Sequence, residues 1–433
     1  MKTAGIIAEY NPFHLGHAWQ IEQIHKRLGE DCAVVAVMSG SFTQRGEPAI
    51  LNKWQRAETA IDCGVSLVIE LPQVFASASA ERFASGGISL LAATGIVQSI
   101  VFGSETGDID ELKKVADYLS RESAEYQARL RGGLSEGLSF PAARQQAAAN
   151  SLGEDSAALL GSPNNILAIE YLKAVNRLPE RHKFSLITFK RQGQDYLNSN
   201  LEEGISMASA GAIRQTVASL AGCSRSDNNR INPDFTGLLE LLKPHMPIPS
   251  LAALLNAIKR NSDLLLYEDM SIQTISLLRS HTSESISGIA GMQEGLGARL
   301  TEAVKRPDIS SDSSGRLELL LRQADTRRFP RTRIQRALLA MMMQIRQDDT
   351  VCMSEPPQYI RVLAFDKKGR HLLKLMRKYA SLPVITKASD FLEFPKDSML
   401  RKQADKDLLA ADLRTLAAGG ICGTDFDREV VIR

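Results

Sequence analysis

The stretch GIIAEYNPFHLGH, Gly5 to His17, governs the reading of this chain. Thr3, Ala4, Gly5, Ile6 and Ile7 form an apolar, β-prone run that reads as a first strand. Asn11, Pro12, His14, Gly16 and His17 follow at once. Two histidines three residues apart can be metal ligands, phosphate contacts or loop residues without a shared task. The rest of the chain decides between these readings.

Working outward, four further β-rich runs occur at Cys32–Met38, Leu67–Leu71, Gln98–Phe102 and Phe184–Phe189. Helix-like stretches separate them at His17–Leu28, Lys53–Cys63, Ala80–Thr94, Ile109–Leu130 and Ile166–Asn176. Nearly continuous apolar strands alternating with helices predict an α/β, Rossmann-like parallel sheet covered on both faces. Beyond about residue 200 the strand signal fades. Leu238–Leu242, Leu251–Ile258, Ile272–Arg279, Leu296–Val304 and Arg316–Gln323 read as helices broken by Pro, Gly and Ser. The expected layout is a nucleotide-binding domain over 1–215, a helical region over 216–350 and a small mixed C-terminal region over 351–433.

Composition narrows the class. A chain of 433 residues is too long for one hydrophobic core. With 44% hydrophobic and 24% charged residues it has the make-up of a water-soluble globular protein. A net charge of +2 makes any nucleic-acid surface local rather than global. No apolar run approaches the roughly 18 to 20 residues needed to span a bilayer, so no membrane partner is expected. The five cysteines are scattered and form no CxxC pair, which excludes a zinc or disulfide framework. Together with the lack of a leader-like N-terminus, this places the chain in the cytoplasm.

In an open α/β sheet, ligands bind beyond the carboxyl ends of the strands, and the first strand-to-helix turn is a phosphate site. A helix starting near His17 directs its unpaired N–H groups and positive dipole end there. Gly16 gives the backbone close approach or a positive φ, and Pro12 stiffens the entry. His14 and His17 then donate hydrogen bonds to the α-phosphate while a nucleophile displaces pyrophosphate. No metal is expected, since nothing nearby completes a ligand set. The turn residues Ile7, Ala8, Glu9, Tyr10, Asn11, Pro12 and Phe13, with His14, Gly16 and His17, are accordingly assigned to ATP.

HLGH in this place resembles the HIGH signature of the nucleotidyltransferase and class I aminoacyl-tRNA synthetase superfamily. MASAGAIRQ, Met207–Gln215, is similar to that superfamily's late basic loop, with Ser209 and Arg214 matching and Gly211 standing where Thr or Ser is common. The resemblance implies that Arg214 holds the leaving pyrophosphate. Ser209 also reads simply as a helix cap. Further segments resemble the tRNA(Met) cytidine acetate ligase family: Met38–Ile61, Val68–Leu91, FGSE (Phe102–Glu105), SPNNILAIEYLKA (Ser162–Ala174) and RRFPRTRIQRALL (Arg327–Leu339). That resemblance implies an enzyme that converts ATP, with Mg2+, and acetate into acetyl-adenylate. It then acetylates the wobble cytidine of elongator tRNA(Met) to N(4)-acetylcytidine.

The same segments have physical readings. SGSFTQRGEPA follows the second strand and lies at the sheet's carboxyl edge, where Arg45 is assigned to an anion, either acetate or the α-phosphate. Lys53 and Arg56 lie within one helical turn and face the phosphates, tRNA or solvent. Glu70 and Glu81 read as buried pairing partners for Arg45 or Arg56 and not as catalysts. Gly103, just past the fourth strand, lets adenine or ribose lie against bare backbone. Asn164 or Asn165 opens a helix and offers a base edge both donor and acceptor. Arg191, after the fifth strand, is a triphosphate contact.

Arg327, Arg328, Arg331, Arg333 and Arg336 stand in a lysine-free run with Phe329, facing only Glu318 and Asp325 nearby. Guanidinium forks and an interleaved ring suit RNA phosphates and bases, so these arginines are expected to bind tRNA. The alternative is a salt-bridged amphipathic helix. Three functions remain open: the RNA-modifying ligase, a small-molecule adenylyltransferase, and a catalytically inactive RNA-binding protein on the same fold.

Overall fold

The computed structural model describes residues 1–433 apart from 180–181, 193–206, 221–234, 261–263, 312–314 and 353–354. Its centre is an eight-stranded sheet of β1 (Thr3–Ala8), β2 (Ala33–Ser39), β3 (Leu67–Leu71), β4 (Ser99–Ser104), β5 (Ser185–Lys190), β6 (Ile360–Phe365), β7 (Val384–Ile385) and β8 (Val431–Ile432). The order is β5-β4-β1-β2-β3-β6-β7, with β8 also pairing β6. Every pairing is parallel except β3 with β6.

β2 shows why the apolar runs form this sheet. Ala33, Val35 and Val37 enter one buried cluster, and Val34, Ala36 and Met38 enter another on the opposite face. Both faces are covered, so alternation disappears and the strand is apolar throughout. The chain leaves β1 for β2 and β3 on one side, then crosses back to β4 on the other. The switch point lies between β1 and β4, where such sheets open a ligand crevice.

The five strands read from sequence all form, as do the helices, with two differences. The stretch read as one helix over Ile109–Leu130 is two, Ile109–Arg121 and Ala124–Ser135. Glu122 adopts a left-handed φ of 37° and Ser123 caps the second helix through its side chain. The first helix begins at Leu15, before His17.

Residues 216–350 carry helices around a second buried cluster, including Leu320, Leu321, Leu338 and Met341, which Phe42 and Ala410 join from outside that range. Residues 351–433 do not stand apart from the sheet. They supply β6, β7 and β8, and Ile360, Val362 and Phe365 join the core of the first half. Such an antiparallel addition at a sheet edge leaves no periodic mark in sequence.

Candidate functional site

The first helix, Leu15–Leu28, is capped by histidines. His14 is its N-cap, and its Nδ1 accepts from the Gly16 N–H at 3.0 Å. In return His17 Nδ1 accepts from the His14 N–H at 3.2 Å. This is a capping box in which imidazoles replace the usual hydroxyl and carboxylate. Gly16 is required for space and not for a positive φ: a Cβ there would lie 2.8 Å from His14 Cε1.

The box fixes the chemistry of both rings. With Nδ1 accepting in each, hydrogen-bond geometry assigns the proton of each neutral ring to Nε2. Burial first, then the charges of Arg191 and Arg214, push His14 down to about 3. Burial, His14 and Arg191 hold His17 well below the usual histidine value. The rings lie 3.9 Å apart between centroids, and Tyr10 stands edge-on to His17 at 4.9 Å. The site therefore presents two neutral N–H donors beside two permanent cations.

A pocket of about 540 Å³ opens at these rings, lined by His14, His17, Gly103, Phe189, Arg191 and Ser209 among others. It draws on the carboxyl ends of β1, β4 and β5. Arg191 Nη1 donates to Asn164 Oδ1 at 3.2 Å, and its backbone N–H donates to the Ser104 carbonyl. Trp19 and Phe189 form an edge-on aromatic wall with centroids 6.2 Å apart.

The model of the HIGH Nucleotidyl Transferase family matches residues 1–423. The tRNA(Met) cytidine acetate ligase of Acetivibrio thermocellus is 38% identical, covering 100% of both chains. That of Caldanaerobacter subterraneus is 37% identical over 96% of both. This chain belongs to the tRNA(Met) cytidine acetate ligase family. Among solved structures, apo Thermotoga maritima TmcAL superposes with a TM-score of 0.88 at 31% identity, covering 100% of this chain and 99% of that one. TmcAL bound with alpha-thio ATP gives 0.85 at 30% identity with the same coverage.

Several residues singled out by sequence occupy different roles from those expected in this ligase-family chain. Asn165 is 2% exposed, and its side-chain oxygen accepts from the N–H groups of Glu105 and Thr106 at 2.9 and 3.2 Å. Glu105 in turn accepts from the backbone of Asn164 and Asn165 and from Asn164 Nδ2. The pair clamps β4 to the helix Pro163–Asn176, leaving Asn164 as the asparagine that orients Arg191. Glu105 went unassigned in sequence because a cap supplied from another segment has no local signature.

Lys53 and Arg56 face neither ligand nor solvent. Lys53 is buried between Glu70 at 2.9 Å and Asp425 at 2.5 Å. Arg56, 1% exposed, donates to the carbonyls of Glu9, Ser39, Gly40 and Leu51, tying together the ends of β1 and β2. Glu81 pairs Arg177 at 2.8 Å and Lys173 at 3.7 Å.

The late-loop residues fall on the site. Ser209 Oγ accepts from Ala212 N–H, capping the helix Ala210–Leu220, and the same residue lines the pocket. Arg214 donates to the Asn11 carbonyl at 2.8 Å and to Glu47 at 3.4 Å. Glu9 accepts from the Gln44 N–H at 2.7 Å, and burial raises its carboxyl despite the nearby charges of Arg214 and Arg45. Glu47 belongs to the polar loop after β2 that the sequence reads as able to line a pocket, but its partners Arg214 and Gln335 lie far along the chain and have no local signature.

In the arginine run, Arg331 makes a two-pronged pair with Glu318 at 3.1 and 2.6 Å. Arg333 and Arg328 reach Glu294 at 3.1 and 3.7 Å. Phe329 lies under both Arg328 and Arg333. Glu294, distant in sequence, is an acid the local count of charges overlooks. Arg327 and Arg336 form no ion pair among the described residues.

Proposed function

We propose that this chain activates acetate with ATP and transfers the acetyl group to the wobble cytidine of elongator tRNA(Met). The observation that carries the reading is the histidine capping box. It presents two neutral Nε2–H donors at the amino end of a helix, beside Arg191 and Arg214. An acetate oxygen attacks the α-phosphorus of ATP as the bond to pyrophosphate breaks. His14 and His17 donate to the α-phosphate oxygens as negative charge builds there. Because both rings are already neutral and oriented, no proton has to move to prepare them. Arg191 and Arg214 hold the β- and γ-phosphates, with Arg214 retaining the leaving pyrophosphate. Trp19 and Phe189 take the adenine, Gly103 leaves room for the ribose, and Arg45 binds acetate.

In the second step the cytidine N4 attacks the acetyl carbonyl, AMP leaves, and N4 loses a proton. Arg327, Arg328, Arg331, Arg333 and Arg336 bind tRNA phosphates in the cytoplasm. The exposed pairs with Glu318 and Glu294 are of the kind that contribute little and can yield to a phosphate. Among the described residues no group of three His, Cys, Asp or Glu could hold a metal ion. Mg2+ carried on the ATP phosphates would supply charge neutralisation there, as is usual for that ion.

The test is acetate-dependent ATP–pyrophosphate exchange without tRNA, followed by nucleoside analysis of tRNA from cells lacking the protein. Exchange together with loss of N(4)-acetylcytidine supports the reading. Exchange absent at saturating acetate, or present with another carboxylate only, overturns it.

A further inference from the structure

Glu47, in the loop after β2, stands where the histidine site meets the helix Arg331–Met342. Its two carboxylate oxygens have different partners. Oε2 pairs with Arg214 Nη2 at 3.4 Å, and Oε1 accepts from Gln335 Nε2 at 2.9 Å. Arg214 keeps a second, shorter tether, since its Nη1 donates to the Asn11 carbonyl at 2.8 Å. The guanidinium can therefore let go of Glu47 and still stay at the site.

Gln335 is 1% exposed, and its Oε1 has no hydrogen-bond partner among the described residues. Burying an amide with its oxygen unpaired costs free energy that an apolar side chain of similar size avoids. What the amide contributes at this place is the hydrogen bond to Glu47. The backbone beside it is packed as closely. A Cβ on Gly46 would lie 2.7 Å from the Arg336 nitrogen and 2.8 Å from the Gln335 carbonyl carbon. The helix that carries Arg331, Arg333 and Arg336 thus sets where the Glu47 carboxylate stands.

Charged and polar groups face Glu47 from both sides. Arg214 and Glu9 lie toward the histidine site, while Arg331 and the buried Tyr267 lie within electrostatic reach from the helical region. Arg331 is also paired with Glu318 at 2.6 Å, so its hold on Glu47 is partial. One carboxylate is thereby shared between a cation assigned to pyrophosphate and a cation assigned to tRNA. A tRNA phosphate that neutralises Arg331 leaves Glu47 drawn more strongly to Arg214.

We infer that Glu47 is a positioning residue for pyrophosphate release: it closes on Arg214 as pyrophosphate departs, and tRNA docked on the helix of Arg331 and Gln335 strengthens that closure. The inference rests on the reading of Arg214 as the pyrophosphate arginine and of the arginine run as the tRNA surface. It adds an order to the reaction, in which pyrophosphate leaves as tRNA arrives, so that the adenylate is not reversed once its acceptor is present. Glu47 makes and breaks no covalent bond. It exchanges one ion pair for another.

The experiment measures the KM for pyrophosphate in acetate-dependent ATP–pyrophosphate exchange, for full-length parent, Glu47→Gln and Gln335→Leu. Each is assayed alone and with a saturating tRNA(Met) transcript whose wobble cytidine is replaced by uridine, which has no amine to acetylate. Without the transcript, Glu47→Gln lowers that KM about two- to fivefold, the scale of a partly exposed ion pair, while the maximal exchange rate changes less. Gln335→Leu lowers it by a smaller factor, because Glu47 keeps its charge and loses only its tether. The transcript raises the KM about two- to fivefold in the parent and far less in either variant. An unaltered KM in Glu47→Gln with a lower melting temperature assigns Glu47 to holding the loop on the helix and overturns the inference. A raised KM does the same, since Glu47 would then steady Arg214 for pyrophosphate instead of competing for it. So does a parental KM that the transcript leaves unchanged. Exchange absent from the parent refutes the ligase reading itself and this inference with it, whereas the other adverse results leave that reading standing.

Discussion

Replacing His17 separates its two tasks. Its Nδ1 accepts the His14 N–H and so helps cap the first helix, while its Nε2–H is free to donate to phosphate. Removing a cap costs about 1 kcal/mol. Removing one donor aimed at a developing oxyanion costs about 2.7–4 kcal/mol, or 10²–10³ in rate. His17→Ala loses both. His17→Asn retains an oxygen that can accept the His14 N–H but has no group in place of Nε2–H. Both variants are therefore expected to slow acetate-dependent ATP–pyrophosphate exchange by 10²–10³-fold, with a much smaller change in KM for ATP. Only His17→Ala is expected to melt earlier, by no more than about 2–4 °C. Exchange within threefold of the parent in folded His17→Asn would refute the role of the Nε2–H donor, whatever the stability result.

Three more outcomes follow from the same geometry. Since burial holds both imidazoles far below the ordinary histidine value, adenylate formation should show no histidine limb between pH 6 and 8, which a pH profile of exchange checks. Their folded values are depressed, so the unfolded chain binds more protons below about pH 6.5; stability should fall as the pH drops below that value, by up to ~1.4 kcal/mol per unit per ring, with the His14 share levelling off near its folded value of about 3, read by denaturant titration. Glu105→Ala removes the acceptor for three N–H groups at the helix Pro163–Asn176 and frees Asn164 from its hold on Arg191; KM for ATP should rise several-fold with kcat moving less, and an unaltered KM counts against Arg191 as a phosphate contact. A chain ending at residue 350 loses β6 beside β3 and the Asp425 partner of Lys53, so it should be insoluble or bind dye as a partly unfolded state, whereas a cooperative melt would show the first half to be self-sufficient.

What the sequence made legible was the part written in local pattern. Apolar runs and the HLGH turn locate the strands, the switch point and the two histidines, because each depends on neighbours a few residues apart. What it hid depends on distant pairing. Glu105 caps a helix that begins far downstream, Glu47 and Arg214 meet across the fold, and Glu294 reaches arginines from a turn distant in sequence. Gly16 illustrates a subtler gap. Its need for glycine was foreseeable, but the reason, space for the His14 ring, requires knowing that His14 is the N-cap. Imidazole is an unusual cap, so the helix start was read near His17 instead of at Leu15.

The ion pairs of this chain divide into two kinds, and the division follows what each must do. Lys53, Glu70 and Asp425 have side chains 3–7% exposed and lock the start of one helix to the end of β3 and to the C-terminal segment. Deleting one partner of such a buried set costs about 3–5 kcal/mol, because the remaining charge has no water to turn to. Arg214 and Glu47, by contrast, are about one-fifth exposed and stand 3.4 Å apart, and Arg331 and Glu318 are more exposed still. Pairs of this second kind contribute roughly 0–1 kcal/mol. An incoming phosphate can therefore displace Glu47 or Glu318 at small cost while the buried set keeps the strand ends in place. Arg214 and Arg331, two of the arginines assigned to ligands, are held in position by carboxylates weak enough to be exchanged. Those assigned to the scaffold, Arg56 and Arg414, bind backbone carbonyls that no ligand competes for.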